Sequence, residues 1–398
     1  MGADCAVPRT IRPVWAEVNL DNLAHNVREI RRRIGPEAQI MAVVKANAYG
    51  HGAGPVARVA LESGATWLGV ALVEEAYELR REGIEAPIHL LSMPSPEQAE
   101  AVVAGGFSCA VCAVEVAEAL SAAAVRLGRP ARVQIKIDTG MGRLGLLPDE
   151  APEFRRYLES LPGIELLGAF THFASADETD KTYTWKQFET FQRALSACEG
   201  PPLLLAHAAN SAAIIDLPEL AGPLVRPGIM LYGLYPSAEV SRTAVDLRPV
   251  MSLKARVAYV KRLPAGAAVS YGRTYVTRDP ETVALLPLGY ADGFSRLLSG
   301  RAEVLLKGRR VPLRGRICMD QCVVGVPDGL EVRVGDEAVI FGRQGGEEIT
   351  VDEVAERIGT INYEVVCAVS GRVPRVYLRQ GRVSEIRSFL PEMAVLTP

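Results

Sequence analysis

Residues 43–52 have the sequence Val-Val-Lys-Ala-Asn-Ala-Tyr-Gly-His-Gly, which places Lys45 directly after the apolar run 40–44. The run is typical of a buried strand, and the glycine-containing turn after it leads into a helical pattern over about 54–62. An unpaired ammonium group is costly to bury, so a lysine at a strand end indicates a special environment. Desolvation lowers a lysine pKa and yields the free amine that a Schiff-base nucleophile needs. The alternative is a lysine that extends from the strand end to water.

Further polar segments follow other strand-like runs. They are Lys136 with Asp138-Thr139-Gly140-Met141-Gly142-Arg143, then Thr171-His172-Phe173, His207 with Asn210-Ser211, and Arg226-Pro227-Gly228-Ile229-Met230. Because the carboxyl ends of barrel strands meet at one face, these segments together indicate a site. The Ser211 hydroxyl and the backbone N–H groups of Gly228 and Ile229 suit a phosphate, although Asn210-Ser211 could equally cap a helix.

The elements that must position these residues alternate between strand-like and helical patterns. Candidate strands cover 40–44, 67–70, 88–91, 108–111, 133–137, 166–170 and 203–206. Helical patterns lie between them, at 73–81, 96–104, 114–127, 149–160 and 186–197. The alternation predicts a parallel sheet, and the span of this region suits a (β/α)8 barrel, for which about 250 residues are typical. A doubly wound open sheet would show the same periodicity.

The pattern changes after about residue 240. Short strand-like runs separated by Gly and Pro replace the helices, apart from a helical pattern at 351–358. We therefore predict two domains, a barrel over residues 1–243 and a mostly-β domain over residues 244–398. The tail after Tyr377 is expected to form a short helix or a loose end.

Composition excludes several classes of protein. The 398 residues are 48% hydrophobic and 23% charged, with a formal net charge of −3, which is ordinary for a globular chain and gives no footprint for nucleic acid. Without an apolar leader or a bilayer-length apolar stretch, the expected location is the cytoplasm. Cys109 and Cys112 have C-x-x-C spacing, but without a second pair they indicate reduced thiols rather than zinc. No metal site is predicted.

The lysine segment and the later segments, in their order and spacing, resemble the alanine racemase family over about residues 15–377. The resemblance implies a pyridoxal 5′-phosphate cofactor bound to Lys45. It also implies that Ser211, Gly228 and Ile229 hold the cofactor phosphate with the help of two tyrosines, and that Asn210 belongs to the cofactor site. The tyrosines match Tyr49 and Tyr363, the latter in Ile361-Asn362-Tyr363-Glu364.

The family places an arginine, here Arg226, against the pyridine nitrogen of the cofactor. Arginine stays protonated and has no acceptor, so that nitrogen would stay unprotonated. Racemisation needs acid/base groups on both faces of the substrate α-carbon. The resemblance assigns one face to Lys45 and the other to Tyr271 of Ser270-Tyr271-Gly272-Arg273, with His172 between Tyr271 and Arg226.

Substrate contacts are also implied by the resemblance. Arg143 suits a substrate carboxylate, and Met319 of Cys318-Met319-Asp320 would be a second contact. Lys136 matches a lysine that many members carry as N6-carboxylysine; a plain salt bridge between Lys136 and an aspartate is the alternative. The family builds its site from two subunits, so a homodimer is expected, with Tyr271 acting on the partner's barrel.

The sequence thus predicts an alanine racemase that supplies D-alanine for peptidoglycan in a bacterium. Three alternatives remain: a broad-specificity amino-acid racemase, a barrel decarboxylase using the same cofactor, and a non-catalytic cofactor carrier. Broad-specificity racemases are usually exported, so the lack of a leader favours alanine. The decarboxylases place an acidic residue where Arg226 stands, and a single-domain carrier would need neither Tyr271 nor a second domain.

Overall fold

The computed structural model describes residues 12–389, and they group into two compact units. The barrel unit comprises Leu23–Ala48 and Gly52–Arg248. The β unit comprises residues 12–22, Tyr49–His51 and 249–389. The predicted domain boundaries at residues 243 and 244 stay a prediction, and the N-terminal strand β1 (Val14–Asn19) pairs within the β unit.

Eight parallel strands form the sheet of the barrel unit. They are β2 (Gln39–Val43), β3 (Trp67–Val70), β4 (Ile88–Leu90), β5 (Ser108–Val111), β6 (Ala131–Lys136), β7 (Ile164–Phe170), β8 (Leu205–His207) and β9 (Leu224–Val225). The order is β8-β7-β6-β5-β4-β3-β2-β9, and a bridge between Asn210 and Arg226 joins the two ends. The nearly closed strand order identifies the sheet as a barrel and excludes the doubly wound open sheet.

One helix precedes β2 along the chain, and helices follow β2 to β8. Their bounds are Leu20–Ile34, Ala53–Glu62, Val73–Arg81, Ala99–Ala104, Val114–Leu127, Ala151–Ser160, Thr182–Ala197 and Ser211–Asp216. The first shows why such segments are helical: Leu23, Val27 and Ile30 recur at helical spacing and are completely buried. Short 3₁₀ turns lie at Pro96–Gln98, Pro148–Glu150, Pro218–Leu220 and Ile229–Tyr232.

The β unit contains an eleven-stranded sheet and a separate two-stranded hairpin. Its C-terminal strands are β10 (Met251–Arg256), β11 (Tyr259–Leu263), β12 (Ala268–Val269), β13 (Tyr275–Val276), β14 (Glu281–Leu286), β15 (Glu303–Leu306), β16 (Arg309–Arg314), β17 (Cys322–Val326), β18 (Glu337–Gln344), β19 (Glu347–Ile349), β20 (Arg375–Arg379) and β21 (Arg382–Arg387). The sheet order is β11-β14-β17-β16-β15-β18-β10-β1-β20-β21, with β19 on β18, while β12 and β13 form a separate hairpin.

Two helices, Val351–Ile358 and Asn362–Cys367, complete the helical content that the structure describes in the β unit, beside 3₁₀ turns at Tyr271–Arg273, Tyr290–Asp292 and Arg296–Leu298. The predicted fold class, a (β/α)8 barrel followed by a mostly-β domain, is confirmed. The expected helix or loose end after Tyr377 is wrong within the described residues. There β20 and β21 form an antiparallel pair, because Gln380 and Gly381 adopt φ of 51° and 69° and close a tight turn.

Among residues 12–389, no helix is long and apolar enough to cross a membrane. In the same range, no three His, Cys, Asp or Glu side chains are grouped so that they could hold a metal ion.

Candidate active site

Lys45 lies two residues after strand β2, at the start of a left-handed turn, Lys45–Tyr49. Ala46, Asn47, Ala48 and Tyr49 have φ values between 51° and 53°. Left-handed backbone costs roughly 1–2 kcal/mol for each residue with a Cβ atom. Four such residues in a row therefore store strain at this strand end, which is typical of functional sites.

Hydrogen bonds within the barrel unit hold this turn. The Ala46 backbone N–H donates to Glu75 Oε1 at 2.6 Å, and Asn47 Oδ1 accepts from the Ala53 N–H at 2.8 Å. Glu75 Oε2 also accepts from the Ala71 N–H at 2.8 Å, so one carboxylate joins the turn to the end of the neighbouring strand β3. The partly buried Lys45 side chain thus projects from a backbone that is strained and fixed.

Arg226 follows strand β9 and is buried in the barrel unit. Its guanidinium donates to the carbonyl oxygens of Thr171, at 2.7 Å, and Ala208, at 2.9 Å. It also contacts His172 Nδ1, at 3.3 Å, and donates to His207 Nδ1. Burial lowers the Arg226 pKa to about 9, which still leaves the group charged at neutral pH. Arg226 therefore lies in the interior of the barrel unit and not in a surface turn.

Both histidines beside Arg226 are held neutral. Burial first, and then the positive charge of Arg226, lower the pKa of His172 and of His207 well below 6.5. Neutral imidazoles can accept hydrogen bonds from the guanidinium, whereas imidazolium ions could not. The arrangement therefore concentrates one positive charge on Arg226.

Lys136, the last residue of strand β6, is buried, and its Nζ lies 4.2 Å from the centre of the Phe170 ring. Burial and the charges of Arg226 and Arg143 lower its pKa well below 10.5. No carboxylate of residues 12–389 forms a salt bridge with Lys136, and the neighbouring Asp138 is instead bound to backbone amides. Burial and the neighbouring charges therefore favour the uncharged, nucleophilic form of this amine.

Asp138 organises the loop that carries Arg143. Its Oδ1 accepts the backbone N–H groups of Gly140, Met141 and Gly142, and its Oδ2 accepts that of Arg143 at 3.0 Å. Burial opposes ionisation of this carboxyl, but the amide hydrogen bonds outweigh burial and lower the Asp138 pKa. The loop is thus built around a carboxylate.

The segments predicted to hold a phosphate lie together in the barrel unit. Ser211 is buried, and its Oγ accepts the Gly228 N–H at 2.8 Å. Ile229 begins the 3₁₀ turn that follows. Asn210 caps the helix Ser211–Asp216, with Oδ1 accepting the Ala213 N–H at 3.1 Å. The capping role that the sequence left open is therefore present for Asn210.

The β unit contains the two predicted phosphate tyrosines side by side. The ring centres of Tyr49 and Tyr363 are 6.1 Å apart. Tyr49 belongs to this unit although its preceding sequence neighbours lie in the barrel unit. Its position is fixed by the chain just beyond it, because the Arg375 guanidinium donates to the Gly50 carbonyl oxygen at 2.9 Å.

Tyr271 and Met319 also lie in the β unit, and their side chains are 70% and 53% exposed. The loops that carry them touch, since Ser270 Oγ donates to the Arg316 carbonyl and lies 3.3 Å from Cys318 Sγ. Tyr290, 42% exposed, joins this surface because its backbone N–H donates to the Cys318 carbonyl oxygen. Tyr271, which the sequence predicts to be a base, is therefore exposed at the surface of the β unit.

Comparison with known proteins agrees with this fold. Residues 18–236 match the family described as "Alanine racemase, N-terminal domain", and residues 250–377 match "Alanine racemase, C-terminal domain". A protein named alanine racemase from Desulforamulus reducens is 51% identical over 370 residues, covering 92% of this chain and 99% of its own length.

Solved structures give the same result. Alanine racemase from Clostridium difficile 630 superposes with a TM-score of 0.92 at 41% identity, covering 96% of this chain and 99% of that one. The Bacillus anthracis enzyme with bound L-Ala-P gives a TM-score of 0.91 at 40% identity, covering 97% and 100%. An eight-stranded barrel followed by a β unit defines the structural class.

Within that class, the chain belongs to the alanine racemase family, whose members are pyridoxal phosphate-dependent isomerases.

The sequence assigns no role to three of the groups that support this site. Glu75 binds the left-handed turn, Asp138 organises the Arg143 loop, and His207 contacts Arg226. Only Asp138 carried a signal, because an aspartate before Thr-Gly-Met-Gly is typical of a carboxylate that accepts successive turn amides. The partners of Glu75 and His207 are distant in sequence.

We expect Asp138→Asn to destabilise the protein at pH 7 by about 1–2 kcal/mol, because one acceptor and the charge are lost. The lowered Asp138 pKa stabilises the fold fully above the ordinary value of 3.8, and this contribution is lost as the pH falls through the folded-state pKa. Urea unfolding from pH 7 to pH 3 would measure it. The control is Asp149→Asn, at an exposed carboxylate. A stability difference between the wild type and Asp138→Asn that is unchanged at pH 3 would contradict this account.

Proposed function

We propose that this chain is an alanine racemase that interconverts L-alanine and D-alanine with pyridoxal 5′-phosphate held by Lys45. The observation that carries the proposal is the buried Arg226 guanidinium with neutral His172 and His207 around it. The named relatives and the structure with L-Ala-P support the choice of alanine. Supply of D-alanine for peptidoglycan, and the cytoplasm as the location, stay predictions.

The chemistry of the donor set fits the cofactor. The Ser211 hydroxyl, the Ile229 amide and the Gly228 amide, which here donates to Ser211 Oγ, would be neutral phosphate ligands, and Asn210 caps the helix that begins at Ser211. Tyr49 and Tyr363 of the β unit would add two hydroxyl donors. Arg226, a donor without an acceptor, suits an unprotonated pyridine nitrogen. His172 would hold Arg226 in place.

When bound, pyridoxal phosphate withdraws electrons from the amino acid and makes its α-proton acidic. Lys45 and Tyr271 would then serve opposite faces of the α-carbon. In one direction Tyr271 Oη takes the proton from L-alanine and Lys45 Nζ returns a proton to the other face, and in the reverse direction the roles exchange. A single base would return the proton to the face it left.

The exposure of the Tyr271 side chain supports a homodimer in which each active site is shared between the two subunits. Tyr271, Tyr290 and Met319 are large side chains that the β unit exposes around its proposed base. In the proposed dimer, Tyr271 of each subunit acts on the barrel of its partner, so an isolated chain would be incomplete.

Arg143 is the proposed ligand of the substrate carboxylate, because a guanidinium fork matches two oxygens, and Met319 is the second proposed contact. Lys136 is the proposed site of N6-carboxylation. Its lowered pKa supports this, since an uncharged amine is required to attack carbon dioxide. The resulting anion would orient Arg143, whose charge contributes to that lowered pKa.

The alternatives are less well supported. A decarboxylase is disfavoured by Arg226, and a non-catalytic carrier by the presence of the whole β unit with Tyr271. A broad-specificity racemase shares most of these groups, so activity toward L-serine and larger amino acids distinguishes it.

The direct test is racemisation of L-alanine by the purified protein loaded with pyridoxal phosphate, followed by circular dichroism. Lys45→Ala should lower kcat by roughly 10³-fold or more, because the base and the covalent anchor are lost together. Lys186→Ala, at an exposed lysine on the helix Thr182–Ala197, is the control and should keep full activity. A wild-type protein that binds the cofactor but leaves L-alanine unchanged would refute the proposal in favour of a carrier.

Mixed dimers test the shared site. Chains carrying Lys45→Ala and chains carrying Tyr271→Phe should each be inactive alone, while their heterodimer should recover about half of the wild-type rate, because one of two sites regains both groups. The heterodimer is isolated through two different affinity tags. If each chain carried a complete site of its own, the heterodimer would stay inactive.

Carboxylation of Lys136 is tested by ¹³C NMR in ¹³C-bicarbonate. We expect a protein-bound carbamate signal in the wild type that disappears in Lys136→Met, because methionine has no amine that could attack carbon dioxide. A wild-type spectrum without this signal would leave Lys136 as an unmodified amine.

A further inference from the structure

An inward-facing layer of the barrel unit contains polar groups that take no part in the proposed proton transfers. They are His89 on β4, Ser108 on β5, Gln134 on β6 and His207 on β8, and all four are buried. The ring of Phe170 on β7 stacks on the His207 ring at 5.0 Å and meets the His89 ring edge-on at 5.3 Å. This layer lies directly beside Arg226, which donates to His207.

The hydrogen bonds of His207 fix its tautomer. Arg226 has only donors, so His207 Nδ1, which it contacts, must carry a lone pair. The single proton of the neutral ring is then on Nε2. Nε2 lies 2.6 Å from Gln134 Oε1, and this carbonyl oxygen can only accept. Both contacts therefore require the same tautomer, and the Gln134 amide must turn its oxygen toward the ring.

We infer that Gln134 is a positioning residue for the proposed racemase, holding the His207 proton on Nε2 so that Nδ1 receives the Arg226 guanidinium. The inference rests on the proposed function only for the purpose of Arg226, which is to face the cofactor nitrogen. If the proton were on Nδ1, the N–H of His207 and the N–H of Arg226 would point at each other, and Arg226 would lose an acceptor. The Arg226 guanidinium would then no longer be held in its orientation.

The charges around His207 agree with this role. The titratable groups that act on it are Arg226, His89 and Lys136. Burial, then Arg226 and Lys136, lower the His89 pKa to about 3, so His89 is neutral at working pH. His89 Nδ1 contacts the Ser108 hydroxyl at 2.9 Å. Gln134 is therefore the acceptor for the His207 Nε2 proton, and it favours the same tautomer that the Arg226 contact requires.

The test is histidine ¹⁵N NMR on the cofactor-loaded protein at pH 6 to 9, since protonated and unprotonated ring nitrogens have well separated shifts. The His207 signals are assigned by their loss in His207→Asn. In the wild type we expect one neutral ring with hydrogen on Nε2 throughout this range. Hydrogen on Nδ1, or an imidazolium ion, in the wild-type spectrum would overturn the inference.

Two variants separate positioning from structural support. Gln134→Met keeps the shape but removes the acceptor, so we expect the His207 shifts to move toward a tautomer mixture and kcat to fall about tenfold with little change in KM. Gln134→Glu keeps an acceptor but adds a charge that raises the His207 pKa. Its imidazolium should oppose Arg226, and its kcat should recover as the pH rises. The control Gln192→Met, at an exposed position, should behave as wild type.

Wild-type His207 shifts in Gln134→Met, or a kcat of Gln134→Glu that follows the wild-type pH profile, would overturn the inference. Racemisation is measured on the same wild-type sample. Loss of the proposed function would appear there as an unchanged L-alanine signal, whereas the tautomer is read directly and independently of activity.

Discussion

Burial of the Arg226 guanidinium is the constraint on which the rest of the site depends. A buried cation is stable only when acceptors surround it, and the barrel supplies two carbonyl oxygens and two imidazole nitrogens. Those imidazoles must be neutral, and burial beside Arg226 keeps them so. Burial, together with this one charge, therefore keeps His172 and His207 neutral, and the neutral His207 ring donates its remaining proton to Gln134.

The barrel explains how residues far apart in sequence reach this arrangement. Lys45, Lys136, His172 and Arg226 all follow or end parallel strands, and parallel strands deliver their carboxyl ends to one face. The strained turn after Lys45 adds a second constraint, because four consecutive left-handed residues leave the strand in a direction that a relaxed chain would not take. The proposed chemistry is thus a consequence of topology together with local strain.

Strong periodicity made most of the fold predictable, and the limits have physical causes. The helix Val114–Leu127 and the strand Ser108–Val111 have the predicted bounds, since each has a clear period and clear ends. Periodicity could not reveal that Ala46 to Tyr49 are left-handed, because no glycine marks the strain. The turn at Gln380-Gly381 lacks the usual Asn-Gly signal. Long-range hydrogen bonds such as that between Gln134 and His207 leave no mark on local sequence.

The central claim is that two bases on opposite faces move the α-proton. The most direct measurement is exchange of the α-proton in D₂O by the Tyr271→Phe enzyme, with L-alanine and D-alanine supplied separately. The account predicts that Lys45 still exchanges the proton of D-alanine, while L-alanine is left unexchanged and neither isomer is racemised. Exchange of both isomers, or racemisation at the wild-type rate, would contradict a role for Tyr271 and leave a one-base mechanism.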